Sequence, residues 1–186
     1  MEEQTFAAAV VGVAYFFLPA YLANMAPVLI GGAWPALARP LDGGRMLGGR
    51  RILGDHKTWR GLLAGIAVGV LVFEAQVLLH RLGLLHRLAA VDYGSALPLL
   101  PGFLLGLGAG VGDAIKSFFK RRRDIAPGAS WIGFDQLDFM AGAYLLVLPL
   151  YALPLLPTLV LLPAVFAGSL VVSATGYWLG LKEAWI

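Results

Sequence analysis

Long apolar runs, interrupted by two charged stretches, organise this chain. In Phe6–Ile30 the only strongly polar side chain is Asn24, with Pro27 near the end of the run. Leu62–Leu79 carries Glu74 and Gln76, Ser95–Val111 turns glycine-rich toward its end, and Phe139–Leu181 holds no charged residue. A helix needs about 20 apolar residues, and at least about 17, to cross the hydrocarbon core of a bilayer. At a rise of 1.5 Å per residue the last run would extend about 65 Å, twice that thickness, so it must break. Pro149, Pro154, Pro157 and Pro163 can break it, and Pro154–Thr158 is the expected place. The pattern predicts an all-α, polytopic integral membrane protein forming a single domain over residues 1–186. Its transmembrane helices, about five, fall near residues 6–30, 62–79, 95–111, 139–153 and 159–181, with loops near 31–61 and 112–138.

Composition agrees with an integral membrane protein. Hydrophobic residues make up 59% of the chain and charged residues 13%, with a mean hydropathy of +0.79. A soluble domain averages about 25% charged residues, so this chain lacks the polar surface to cover a globule in water. There is no cysteine, which removes thiol nucleophiles, disulfides and thiolate-bound metals. The net charge of +3 is localised: eleven of the fourteen Lys and Arg lie in Gly31–Arg60 and Asp113–Asp138. Charge so placed beside spans reads as membrane topology, and no nucleic-acid partner is expected. With five crossings both basic loops, and Lys182, fall on one side, which the positive-inside rule makes cytoplasmic. The N-terminus and the linker Arg81–Tyr93 then lie outside and the C-terminus in the cytoplasm. Met1-Glu2-Glu3 offers no basic n-region, so the first apolar run is expected to be a permanent span.

The candidate chemistry sits in the two loops. If the third span continues as helix past the membrane, Asp113, Lys116, Ser117 and Lys120 share one face through i, i+3 and i+4 spacing. Asp135 and Asp138, three apart, sit just before the fourth span, where acids either cap the helix N-terminus or share a cation. Hard divalent ions such as magnesium take carboxylate oxygens and are usually completed by substrate phosphates. The first loop contains Gly54-Asp55-His56-Lys57-Thr58-Trp59-Arg60-Gly61, a polar turn running into a helix start, where free backbone N–H groups can cradle an anion. It lacks P-loop spacing. Trp59 and Arg60 also suit an interfacial anchor, and Arg39, Arg45, Arg50 and Arg51 suit topology charges that could also draw in a lipid phosphate. Glu74 lies about 20 Å along the second span. An intramembrane acid marks function by default, but a bond to a neighbouring helix or the outer face suits its distance from the loops. Asn24 either caps a broken helix or reaches toward a ligand.

Together these residues resemble a known signature. Gly112-Asp113, Ser117, Lys120-Arg121 and Asp135-x-x-Asp138 are similar to the motif of membrane CTP:phosphatidate cytidylyltransferases. Combined with residues 54–61, Asn24-Met25-Ala26-Pro27 and Pro40-Leu41-Asp42, they resemble the archaeal branch of that family, the CDP-archaeol synthases. The broader family's Lys-Asp pair and His-Gly-Gly turn are missing, the insert Arg122–Phe134 is shorter, and Gln136 stands where Arg is usual. The resemblance implies CMP transfer from CTP to 2,3-bis-O-(geranylgeranyl)-sn-glycerol 1-phosphate, with ester phosphatidate as the alternative acceptor. It implies magnesium on Asp113, Asp135 and Asp138, with Lys116, Lys120 and Arg121 on the triphosphate and Ser117 on the phosphate or a metal-bound water. Asp55, His56, Lys57, Thr58 and Asn24 would complete the nucleotide pocket.

Two competitors fit less well. A CDP-alcohol phosphatidyltransferase needs D-G-x-x-A-R and a second pair of acids four apart; after Asp42-Gly43 the Arg45 comes too early and without its Ala, and Asp135 and Asp138 are three apart. A transporter would place polar residues at mid-bilayer in several spans, whereas here they gather at one interface. His56, His80 and His86 form no zinc-ligand motif.

Overall fold

The structure, a computed structural model, describes residues 5–94, 97–126 and 129–180. The expected start of the third span at Ser95, the end of the fifth at Leu181, Lys182 and Met1-Glu2-Glu3 lie outside the described residues.

Among the described residues five α-helices make the fold: α1 (Phe6–Leu29), α2 (Trp59–Arg81), α3 (Leu100–Arg122), α4 (Phe134–Val147) and α5 (Leu155–Trp178). Four of them, α1, α2, α3 and α5, are long and apolar enough to cross a membrane. The connection between α1 and α2 adds a two-stranded antiparallel hairpin, β1 (Met46–Leu47) and β2 (Arg50–Arg51), pairing Met46 with Arg51. Helix α3 is central, packing on α1, α2 and α4, while α5 packs on α1 and α4.

Helix ends follow local chemistry. Thr58 caps α2, its Oγ1 accepting the Gly61 N–H at 3.2 Å, and Thr5 caps α1 through the Ala8 N–H. Helix α3 does not stop near residue 111. Nothing breaks the helix before Asp124, whose φ is +56°, so it carries the Asp113–Lys120 face out to Arg122. Helix α4 starts at Phe134, five residues before the expected 139, because Gly133 (φ +89°) turns the chain and donates its N–H to Gln136 Oε1 at 2.7 Å. Asp135 and Asp138 therefore ride on α4 rather than preceding it. Pro149 and Pro154 bar the helix from continuing, so α4 has 14 residues, about 21 Å, shorter than the roughly 30 Å hydrocarbon core. The break falls at 148–154, earlier than Pro154–Thr158. Pro157 stands in the first turn of α5, where its missing N–H has no intrahelical role.

The core is aromatic and small-residue. Phe16 meets Phe73 and Tyr151 at ring separations of 6.3 and 5.3 Å, and Leu105, Phe139, Met140, Ala143 and Val147 pack beneath them. Glycines bring α3 onto α4: a methyl group at Gly108 would lie 2.5 Å from Ala143 Cα. Two polar side chains within the bundle tie its elements together. Gln76 Nε2 donates to the Tyr15 carbonyl at 2.5 Å. Glu74 Oε1 accepts the Leu99 N–H at 2.9 Å, pinning the start of α3 to α2, one of the two roles expected of it.

Both charged loops lie at one end of the bundle. Arg122 Nη1 and Nη2 donate to the carbonyls of Leu47 and Arg51 at 2.7 and 2.6 Å, and Arg50 pairs with Asp124 at 2.6 Å. At the other end the 82–94 linker meets the outer turns of α1, with Ala90 against Gly12.

Candidate active site

A cavity of about 900 Å³ opens at the end of the bundle that carries the charged loops. Helices α1, α2 and α3 wall it, Asp135 and Gln136 of α4 and Ser173 of α5 add to the lining, and residues 56–58 and 129–130 close its sides. Its charged lining comes from spacing: Asp113, Lys116 and Lys120 recur at three and four residues along α3 and so point one way.

These side chains form an alternating chain of charge. Lys57 Nζ is 2.6 Å from Asp113 Oδ2, and Asp113 Oδ1 is 2.9 Å from Lys116 Nζ. Lys116 Nζ also lies 3.0 Å from Asp135 Oδ1 and 2.7 Å from Asp138 Oδ2. Lys120 Nζ is 3.2 Å from Asp135 and donates to the Ala129 carbonyl at 2.5 Å. Asp135 Oδ2 accepts the Trp131 N–H at 2.5 Å, so the same carboxylate that faces Lys116 and Lys120 fixes the turn into α4. Three carboxylates and three ammoniums balance. Such pairs are held where removing one partner leaves an uncompensated charge.

Of the residues singled out in the sequence, Asn24, His56, Lys57, Thr58, Asp113, Lys116, Lys120 and Asp135 line the cavity. Helix α1 runs on through Pro27, so Asn24 presents its amide to the cavity and caps nothing. Asp138 stands behind Lys116, its side chain 6% exposed. Ser117 is buried outside the lining. Arg121 packs its stem near Gly54 and does not line the cavity either. Asp55 is placed away from the site: its side chain is 76% exposed and pairs with Arg51 at 2.5 Å. Arg50 and Arg51 are likewise engaged within the loops, while Arg39 and Arg45 are exposed.

Three lining residues carried no sequence signal strong enough to select them: Ser130, Gln136 and Ser173. In the sequence Gln136 stood out only as a departure, standing where Arg is usual between Asp135 and Asp138. Ser173 belongs to a chargeless helix far along the chain, and only packing of α5 brings it to the cavity. Its neighbour Ser169 donates to the Gln136 carbonyl at 3.3 Å.

The donor set can be weighed against magnesium. Asp113, Asp135 and Asp138 supply hard carboxylate oxygens, the kind magnesium selects, and all three reach a single cationic atom, Lys116 Nζ, within 3.0 Å. They fit in kind and in convergence. As the side chains stand they are arranged round an ammonium, and among the described residues no three acidic or histidine groups, these included, are disposed to hold a metal ion.

Helices long and apolar enough to cross a membrane, with a charged cavity at one end of the bundle, define an integral membrane protein with a site suited to an ionic group. The comparisons specify which kind. The CarS-like CDP-archaeol synthase family model matches residues 6–186, and the chain belongs to that family. It is 42% identical to the CDP-archaeol synthase of Halobacterium salinarum, with 94% of this chain and 95% of that one covered. Identity to the Thermococcus onnurineus enzyme of the same name is 44%, over 75% of each chain. The Pyrococcus furiosus one is 38% identical, covering 88% of this chain and 92% of that. A solved structure described as an intramembrane enzyme for archaeal membrane lipid biosynthesis superposes with a TM-score of 0.71 at 34% identity, covering 86% of this chain and 91% of that one.

Proposed function

We propose that the cavity transfers CMP from CTP to 2,3-bis-O-(geranylgeranyl)-sn-glycerol 1-phosphate, releasing pyrophosphate and leaving a CDP-activated ether lipid in the membrane. The observation that carries this reading is the alternating Lys57–Asp113–Lys116–Asp135–Lys120 chain lining a cavity at the end of a membrane bundle. A nucleotide arriving from water and a phosphate on a lipid meet only at such a place. The charged end of the bundle faces the cytoplasm, where CTP is available, and the N-terminus lies outside.

In the reaction a lipid phosphate oxygen attacks the α-phosphorus of CTP. The new P–O bond forms as the bond from the α-phosphorus to the bridging oxygen breaks, and pyrophosphate departs with that electron pair. A phosphate monoester is already ionised at neutral pH, so no strong general base is required. Ser117 and the histidines need no role as one. The difficulty is repulsion between two anions, and catalysis of this kind rests on positioning and charge stabilisation. Lys57, Lys116 and Lys120 exchange their carboxylate partners for phosphate oxygens, and Asn24, His56 and Thr58 line the same pocket beside them. Asp113, Asp135 and Asp138 would hold magnesium, which would neutralise charge on the triphosphate. The conformations of Asp135 and Lys120 also keep the 129–135 segment closed over one side of the cavity.

Product formation tests the reading. Purified protein is given magnesium, each of CTP, ATP, GTP and UTP in turn, and either the geranylgeranyl-ether or an acyl-ester lipid phosphate. CDP-lipid and pyrophosphate from CTP with the ether acceptor are expected. Folded protein that releases no pyrophosphate with any pair would overturn the assignment.

A further inference from the structure

Behind the cavity wall lies a second cluster, centred on Asp42. Its side chain is 1% exposed, whereas Asp55, the other acid of this loop, is 76% exposed. Every contact to the Asp42 carboxylate comes from a donor. Oδ1 accepts the Gly44 N–H at 3.0 Å and Arg51 Nη2 at 2.7 Å. Oδ2 accepts the N–H groups of Leu53 and Gly54 at 2.9 and 3.1 Å, with Arg51 Nε at 3.4 Å. Gly54, at φ +100°, turns its N–H back toward Asp42 in a conformation that a side chain would strain.

The backbone beside Asp42 carries this order to the cavity. Leu41 N–H donates to the Lys57 carbonyl at 2.7 Å, and Trp59 N–H to the Arg39 carbonyl at 3.1 Å, so residues 39–42 clasp residues 57–59. The loop is also fastened to α3 at two heights. Arg122 Nη2 holds the Arg51 carbonyl at 2.6 Å, and nine residues earlier, about 13 Å along the helix, Asp113 holds Lys57. The path Arg122–Arg51–Asp42–Gly54–Lys57–Asp113 is therefore closed through α3, and Asp42 is the junction where the hairpin and the 53–58 turn meet.

We propose that Asp42 is a positioning residue for the nucleotide: its carboxylate sets the 53–58 turn against the hairpin and so places the Lys57 ammonium at the cavity. This rests on the reading of Lys57 as a triphosphate contact. An amide of the same shape would not serve, because its NH₂ group would face N–H donors with nothing to accept.

Steady-state kinetics of the full-length enzyme test this with Asp42→Asn, Lys57→Met and the double variant. The expected result for Asp42→Asn is a CTP KM raised about tenfold or more, with kcat and the lipid KM within about threefold. The double variant should be no worse than Lys57→Met alone, since residues acting through one contact are not additive. A purely structural role would lower thermal stability without that split or that non-additivity. A CTP KM within about twofold of wild type for Asp42→Asn, beside a raised one for Lys57→Met, overturns the proposal alone. An unchanged CTP KM in Lys57→Met overturns the reading of Lys57 and the proposal with it. Should Asp42→Asn fail to fold, Arg51→Gln leaves the three backbone N–H partners of Asp42 in place. It should raise CTP KM about threefold with kcat spared; multiplication with Lys57→Met overturns the proposal there too.

Discussion

Lys116 shows how single residues decide this site. One ammonium is shared by three carboxylates from two helices, so no carboxylate in the group is without a counter-charge, and the helices are cross-linked at the proposed substrate site. Its place was readable from the Asp113, Lys116, Lys120 spacing alone. Asp55 and Ser117 had the same chemical credentials yet fall outside the lining: Asp55 is turned to solvent, where it pairs with Arg51, and Ser117 is buried on α3 without reaching the cavity. Asp42 is the counter-example, a residue whose importance is in hydrogen bonds that no linear spacing displays. Burial by itself would raise its pKa. The Arg51 guanidinium and the N–H groups of Leu53, Gly54 and Gly44 outweigh that and hold the carboxyl well below the usual carboxylate range. A carboxyl depressed in the folded loop stabilises it fully above the ordinary value of 3.8 and loses that contribution as pH falls through the lower folded value. Hydrogen–deuterium exchange, corrected for intrinsic rates, should show Leu53 and Gly54 protected from neutral pH down to about pH 4 and progressively exposed below it.

At the scale of elements the contact between α3 and α4 matters most, because it carries all three candidate metal-holding carboxylates. A methyl group at Gly112 would collide with the Asp138 carbonyl oxygen and lie 2.8 Å from its carbon, both backbone atoms that cannot yield without moving α4. At Gly110 the nearest atom is Leu62 Cδ1, the far end of a flexible side chain. Gly112→Ala should therefore cost about 1–3 kcal/mol and depress turnover by shifting Asp135 and Asp138, while Gly110→Ala should be nearly silent in both. Thermal unfolding and initial rates on the two variants check this. The helices themselves were legible from hydropathy, and α1 and α2 lie within a few residues of the expected spans. The limits of α3 and α4 were not. Hydropathy stops at the first charge, whereas a helix stops at a cap or a breaker. Asp113–Arg122 continued because its charges are paired, and α4 began early because Gly133 and Gln136 make a cap. The same reason explains why a chargeless run of 43 residues divides into one short and one long helix.

Across the whole molecule, polar function is confined to one end of an otherwise apolar bundle, and the opposite end is spent on holding helices together through Glu74, Gln76 and the 82–94 linker. That division was foreseeable from where the charges cluster. The contribution of α5 was not, since Ser173 reaches the cavity only through tertiary packing. The central claim is that the Lys116-centred carboxylates are where CMP transfer takes place, and turnover of Asp138→Asn tests it most directly. The side chain keeps its shape and loses its charge, 2.7 Å from Lys116 Nζ. With a helical spectrum and a melting temperature close to wild type, CDP-lipid formation should fall by about a thousandfold or more. A folded Asp138→Asn enzyme retaining activity within about tenfold of wild type would contradict the assignment of the site.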